Sequence, residues 1–172
     1  MANFAVSVHG TSFHVEDLSR IDRVTRRGWG LEVASYRHGG YAGPAAWVHA
    51  PIPLSAPWEL EGLPIGGHIR WVELRDRVLL KGVQIDFDSA DQELYISNVH
   101  VHDGGNLADQ RDGLHERGPA FSWDFDPALE VSSGLNLAIG VEFPTVIDGT
   151  APPPPALVFN AAFAFYYTEP TL

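Results

Sequence analysis

Asn98, His100 and His102 occupy alternate positions of the run Asn98-Val-His-Val-His-Asp-Gly104, the part of this chain with the clearest chemical potential. Side chains along a β-strand alternate between its two faces. The three polar groups therefore share one face, and Val99 and Val101 share the other. Two neighbouring imidazoles can ligate a metal, move a proton near neutral pH, or hydrogen-bond a polar ligand. A metal centre needs further ligands, because catalytic zinc sites typically use three protein groups and keep one position open. His9, His49 and Asp103 are the candidates to join His100 and His102 around a divalent ion such as zinc. No third ligand stands at a fixed offset, and cupin-type spacing is absent. The same histidines equally suit a polar sheet face whose rings bond to backbone.

Acid–base chemistry asks instead for a histidine oriented by a carboxylate. His100 or His102 could take Asp86, Asp88, Asp124 or Asp126 in that role. Adjacent His102 and Asp103 point to opposite faces while the strand persists. Asp103-Gly104-Gly105 reads as a turn, where Asp bonds its own backbone and Gly supplies a positive φ. The acidic group Asp86, Asp88, Asp91 and Glu93 lacks the spacing of a calcium loop and fits a solvated hairpin end. Phosphate-binding glycine loops and a G-x-S-x-G elbow are both missing, which places nucleotide chemistry and serine hydrolysis low.

Five tryptophans are many for 172 residues. Aromatic faces stack on sugar rings and flat organic molecules. Trp58 and Trp71, in or beside a long irregular segment, and Tyr36 and Tyr41, in or beside a glycine-rich one, are the candidates for stacking. Trp123 alternates with Phe121 and Phe125 and reads as core. Trp29 and Trp47 suit either role.

The elements that must position these groups are strands almost throughout. Phe4, Val6 and Val8 alternate with polar or small residues, and Gly10-Thr11-Ser12 then leads to Phe13-His14-Val15, which predicts an opening hairpin. A strand with a bulge or a close backbone approach is expected over 24–34. Ala46 to Ala50 is a strand that Pro51 and Pro53 confine to an edge or an ending. Residues 54–68 form a long excursion, 69–74 a short strand, 78–87 and 94–103 clear strands, and 104–118 a polar loop. Further strands fall at Phe121–Phe125 and 135–143, and Pro152 to Pro155 make a stiff spacer. In the last strand Phe159, Phe163, Phe165 and Tyr167 are expected on one side. Nine or ten strands with no helical pattern predict a single domain over 1–172, an antiparallel two-sheet β-sandwich of jelly-roll type.

Composition narrows the partners. A formal net charge of −11, with Lys81 as the single lysine, disfavours nucleic acid and anionic membranes. Absence of cysteine excludes disulfides and thiolate metal sites. With no apolar run near the roughly 20 residues of a membrane helix and no signal-like start, a cytoplasmic location is expected.

Several segments resemble a family of uncharacterised bacterial β-sandwich proteins, a domain of unknown function. They are Val8-His9-Gly10-Thr11-Ser12 with Val15-Glu16, Gly28-Trp29-Gly30, Trp47 to Pro53, Val99 to Gly104, Asp112-Gly113-Leu114, Gly134 to Phe143, and Ala161 to Phe165. The resemblance implies the sandwich architecture and carries no activity. This chain departs from it in longer 36–44 and 54–74 segments and in His102, where an aromatic is expected.

The leading expectation is a lectin-like module that binds a small neutral ligand, most plausibly a carbohydrate, in a cleft of loops 36–44, 54–68 and 104–118. Tyr36, Tyr41, Trp58 and Trp71 would stack, and Asn98, His100 and His102 would hydrogen-bond. The alternative is a small-molecule enzyme using His100 or His102 as acid–base group, with or without a divalent metal. A third is a self-assembling structural protein forming homo-oligomers.

Overall fold

The computed structural model describes residues 3–37, 43–54, 76–89, 91–132, 134–145 and 153–170. The expectations placed on Tyr41, Trp58, Trp71, the strand over 69–74 and most of the 54–68 excursion lie outside the described residues. Eleven strands form two antiparallel sheets. The first sheet contains β3 (Arg23–Arg27), β4 (Gly30–Ala34), β11 (Ala156–Pro170), β6 (Asp76–Ser89) and β9 (Ala120–Val131) in that order, with β1 (Asn3–His9) also paired to β11. The second runs β2 (His14–Val15), β5 (Ala46–Ile52), β10 (Leu135–Glu142), β7 (Tyr95–Asp103), β8 (Asn106–Arg111). Successive strands change sheet from β4 to β7 and from β8 to β11, as a jelly-roll-like sandwich requires.

The core lies between the layers. Val48, Ala50, Leu80, Val83, Ile85, Val99, Val101, Leu137 and Ile139 are all buried, at alternate positions of their strands apart from one break in β6. At one end Phe159 contacts Phe13 and Phe87, with ring centroids 5.6 and 6.5 Å away. Two glycines let other segments approach this residue. A Cβ built on Gly10 would stand 1.9 Å from the Phe159 carbonyl oxygen, and one on Gly30 would stand 2.2 Å from it.

Four expectations need correction. The opening segment is no hairpin: Gly10–Ser12 is a short 3-10 turn, after which β2 joins β5 in the opposite sheet while β1 joins β11. Burial of Phe13 between the sheets drives the crossing. Residues 24–34 show the expected close backbone approach at Gly30 but hold two strands, β3 and β4, joined by a tight turn at Gly28 and Trp29. The expected polar loop over 104–118 contains β8, an edge strand that buries little and so carries no apolar alternation. It follows a turn at Gly104, whose φ of 59° favours glycine. Lastly, the side chains of β11 change face. Asn160 is an extra residue between the pairs Phe159–Phe87 and Ala161–Asp86, and a bulge of this kind reverses the alternation. Phe159 is buried, but beyond the bulge Ala162, Ala164 and Tyr166 point inward and Phe165 is exposed. Trp123 is core, as its alternation predicts.

The two turn-region glycines provide a paired test. Gly28→Ala meets no heavy atom within 4 Å and should leave stability within about 0.5 kcal/mol of the parent. Gly30→Ala forces the Phe159 carbonyl to move and should cost about 3 kcal/mol or more. Urea denaturation curves check both; equal stability of the two variants would contradict the packing described.

Candidate functional site

The second sheet buries its apolar residues on one side and turns a set of polar and aromatic side chains to the other. Strand β10 lies between β5 and β7, and its register brings three outward rows together. Trp47, Gly140 and Asn98 form one row. His49, Ala138 and His100 form the next, extended by His14 from β2 and Gln110 from β8. Pro51, Asn136 and His102 form the third. Ala138, itself buried, thus lies beneath a polar patch, the basin, formed by Trp47, His49, Asn136, His100 and His102. Strands β5 and β7 flank it about 9–10 Å apart, twice the inter-strand spacing.

Small residues on β10 let the flanking side chains close over it. A Cβ at Gly140 would lie 2.7 Å from Pro44 and 2.9 Å from Asn98, so the Trp47 ring can lean across β10 to meet His100 at 4.7 Å between centroids. On the far side of His49, His14 stacks at 5.0 Å with rings 15° from parallel.

Hydrogen bonds assign the rim residues different duties. His100 Nε2 lies 2.8 Å from Asp112 Oδ1. Asn98 Nδ2 donates to the same oxygen, and Gln110 Nε2 donates to Asp112 Oδ2 at 3.0 Å. These donors, His100 first and Asn98 next, hold the Asp112 carboxyl below the usual range. Asn98 also accepts from Ser97 Oγ at 2.7 Å. It therefore positions Asp112 and, through it, the ring of His100. His49 Nδ1 meets Asn136 Nδ2 at 3.0 Å, and its Nε2 faces Glu16 Oε2 at 3.4 Å. The half-buried ring of His102 has no hydrogen-bond partner among the described residues, which leaves both of its nitrogens to a ligand.

The sequence-based candidates separate on this geometry. Asn98, His49, His100 and His102 come together on one face. His9 does not join them: it belongs to β1 in the other sheet, and its Nδ1 caps the 3-10 turn, meeting the Thr11 backbone N–H at 3.2 Å. Tyr36 leaves β4 of the first sheet with its hydroxyl 3.4 Å from the Pro153 carbonyl. Among the described residues no three His, Cys, Asp or Glu side chains are grouped to hold a metal ion. Asp103 braces a turn, as expected, but the backbone it binds is distant in sequence, at Ser132 (2.9 Å) and Gly134 (3.1 Å). His14, Asn136 and Asp112 were missed as site residues. Asn136 alternates with the apolar Leu135 and Leu137, a signal readable in the sequence. His14 and Asp112 depend on long-range pairing.

Clustering the imidazoles makes the face sensitive to acid. Burial, then the neighbouring His49 and Arg26, lower the pKa of His14 against an opposing pull from Glu16. Burial, then His100 and His49, lower that of His102. A histidine depressed in the folded state binds fewer protons there than when unfolded, so its stabilisation is complete above the unfolded value near 6.5 and declines as pH falls below it. The urea midpoint should therefore drop between pH 7.5 and 5.5, and the double variant His14→Gln/His102→Gln should show a smaller drop. An identical slope in parent and variant would count against this arrangement.

Neither a protein-family model nor a curated protein matches the sequence. Among solved structures, one described as carbohydrate-binding module CBM36 in complex with calcium and xylotriose is similar at a TM-score of 0.40 and 8% sequence identity, covering 95% of this chain and 98% of that one. The described residues include no helix long and apolar enough to cross a membrane.

Proposed function

We propose that this chain is a binding module for a small neutral polyhydroxy ligand, a carbohydrate, held over Ala138 on the outer face of the second sheet. The observation that carries the reading is the convergence of Trp47, His49, Asn136, His100 and His102 on one outward patch over the buried Ala138. Trp47 offers an aromatic surface to the apolar face of a sugar ring. The imidazoles and the Asn136 amide offer donors and acceptors at its edge, and a few fixed polar groups beside an aromatic wall are what such ligands require. The net charge of −11 favours a neutral ligand over an anionic one.

Calorimetric titration with methyl glycosides and short oligosaccharides tests this reading. Trp47→Ala should weaken binding about tenfold or more, roughly 1.4 kcal/mol. Ala138→Leu should abolish it by forcing apart the side chains packed over this buried residue while the far-ultraviolet spectrum stays that of a β protein. Failure of every sugar to bind, or binding indifferent to both changes, would sink the proposal.

The 2.8 Å contact of His100 with Asp112 favours a second reading, in which His100 is a general acid or base oriented by a carboxylate. Turnover of a bound glycoside that falls at least about tenfold in Asp112→Asn would support it. Recovery of bound glycosides unchanged would remove it for this ligand class.

A further inference from the structure

A groove of about 670 Å³ begins where the basin ends. It is lined by Pro51 and Asn136, which belong to the outer face of the second sheet, and by Ile52, Leu135 and Val8, which belong to the core. Ser12, Pro53 and Leu54 complete much of its wall. The groove therefore passes over the end of the sandwich, from the polar basin to the apolar space between the layers. Its volume falls within the range of small-molecule sites.

Asn136 is shared by basin and groove. Its amide nitrogen meets His49, but its Oδ1 is buried without a hydrogen-bond partner among the described residues. A sealed, unpaired carbonyl carries the full cost of its desolvation. A ligand hydroxyl donated to Oδ1 from the groove that Asn136 lines would relieve that penalty and keep the contact with His49. One side of Asn136 thus calls for a hydroxyl, while the groove beyond it is walled by Pro51, Ile52, Pro53, Leu54, Leu135 and Val8. Among the described residues no lysine or arginine lines it.

We infer that the ligand is an amphiphile: a sugar head over Ala138 joined to a short apolar tail, alkyl or aryl, that lies in this groove. The inference rests on the sugar-binding reading of the basin and extends it to a substituent at one end of the sugar. Head and tail meet at Asn136. Water leaves the apolar wall as the tail enters, so affinity rises with tail length until the groove is full.

The test is calorimetric titration of the full chain with methyl, butyl and hexyl β-D-glucosides and β-D-galactosides, all kept below their micelle concentrations, with hexanol as a headless control. Affinity should rise about two- to fourfold per methylene, so that the hexyl glycoside binds at least about 30-fold more tightly than the methyl glycoside. Ser12→Trp, which fills the groove, and Leu54→Asp, which charges it, should each flatten the series and leave the methyl glycoside unchanged; neither residue touches the basin. A flat series in the parent, with the methyl glycoside bound, overturns this inference and leaves the basin reading intact. Hexanol binding as tightly as hexyl glucoside overturns the link between head and tail. Failure of every glycoside in both series to bind overturns the inference together with the reading beneath it.

Discussion

Burial of Val48, Val99, Val101, Leu137 and Ile139 between the sheets determines where every polar group of the basin stands. Because strand side chains alternate, fixing these five inward fixes Trp47, His49, His100, His102, Asn136 and Ala138 outward. A slip of one residue in any of the three strands would exchange the two sets. Each aliphatic side chain contributes about 1.5–3 kcal/mol on burial, so exposing all five would be opposed by on the order of 10 kcal/mol. The site is therefore held in register by residues that no ligand touches. The polar bonds on the outer face, such as Asp112 to His100, refine ring orientation inside a frame the core has already set.

The same logic explains the absence of ordinary side chains at the basin's centre. Ala138 and Gly140 stand on the central strand of their sheet, where a larger residue would be accommodated by the backbone without difficulty. At Gly140 a Cβ would collide with Pro44 and Asn98. At Ala138 a larger side chain would occupy the space between His49 and His100. A sheet face on which rings from both flanking strands meet needs small residues on the middle strand and long ones on its neighbours, and β5, β10 and β7 supply that order.

Much of this could be read from the sequence, because alternation is a local property. The β class, the inward valines and the outward Asn98, His100 and His102 all follow from it, and Asn136 is visible in the same way between Leu135 and Leu137. What alternation cannot supply is the partner of each strand. His14 and His49 stack because β2 pairs with β5, a contact spanning 35 positions, whereas the local pattern pointed to pairing with β1. His9 looks like His49 in composition of its surroundings, yet it is in the opposite sheet and caps a turn. The bulge at Asn160 adds one residue to an otherwise regular strand and so turned the reading of β11 inside out beyond that point. Edge strand β8 buries too little to leave an apolar signature, which hid both the strand and the hairpin that brings Asp112 to His100.

That bulge has a practical side. Beyond it Phe163, Phe165 and Tyr167 face outward from the first sheet, and exposed Lys81 places its ammonium 5.7 Å from the Tyr167 ring. Lys81 is the chain's one lysine side chain, and it belongs to the layer opposite His49, His100 and His102. Amine-reactive dyes, resins or sensor chips that couple through Lys81 would therefore grip the molecule by its back, presenting Trp47 and its neighbours uniformly to whatever flows past.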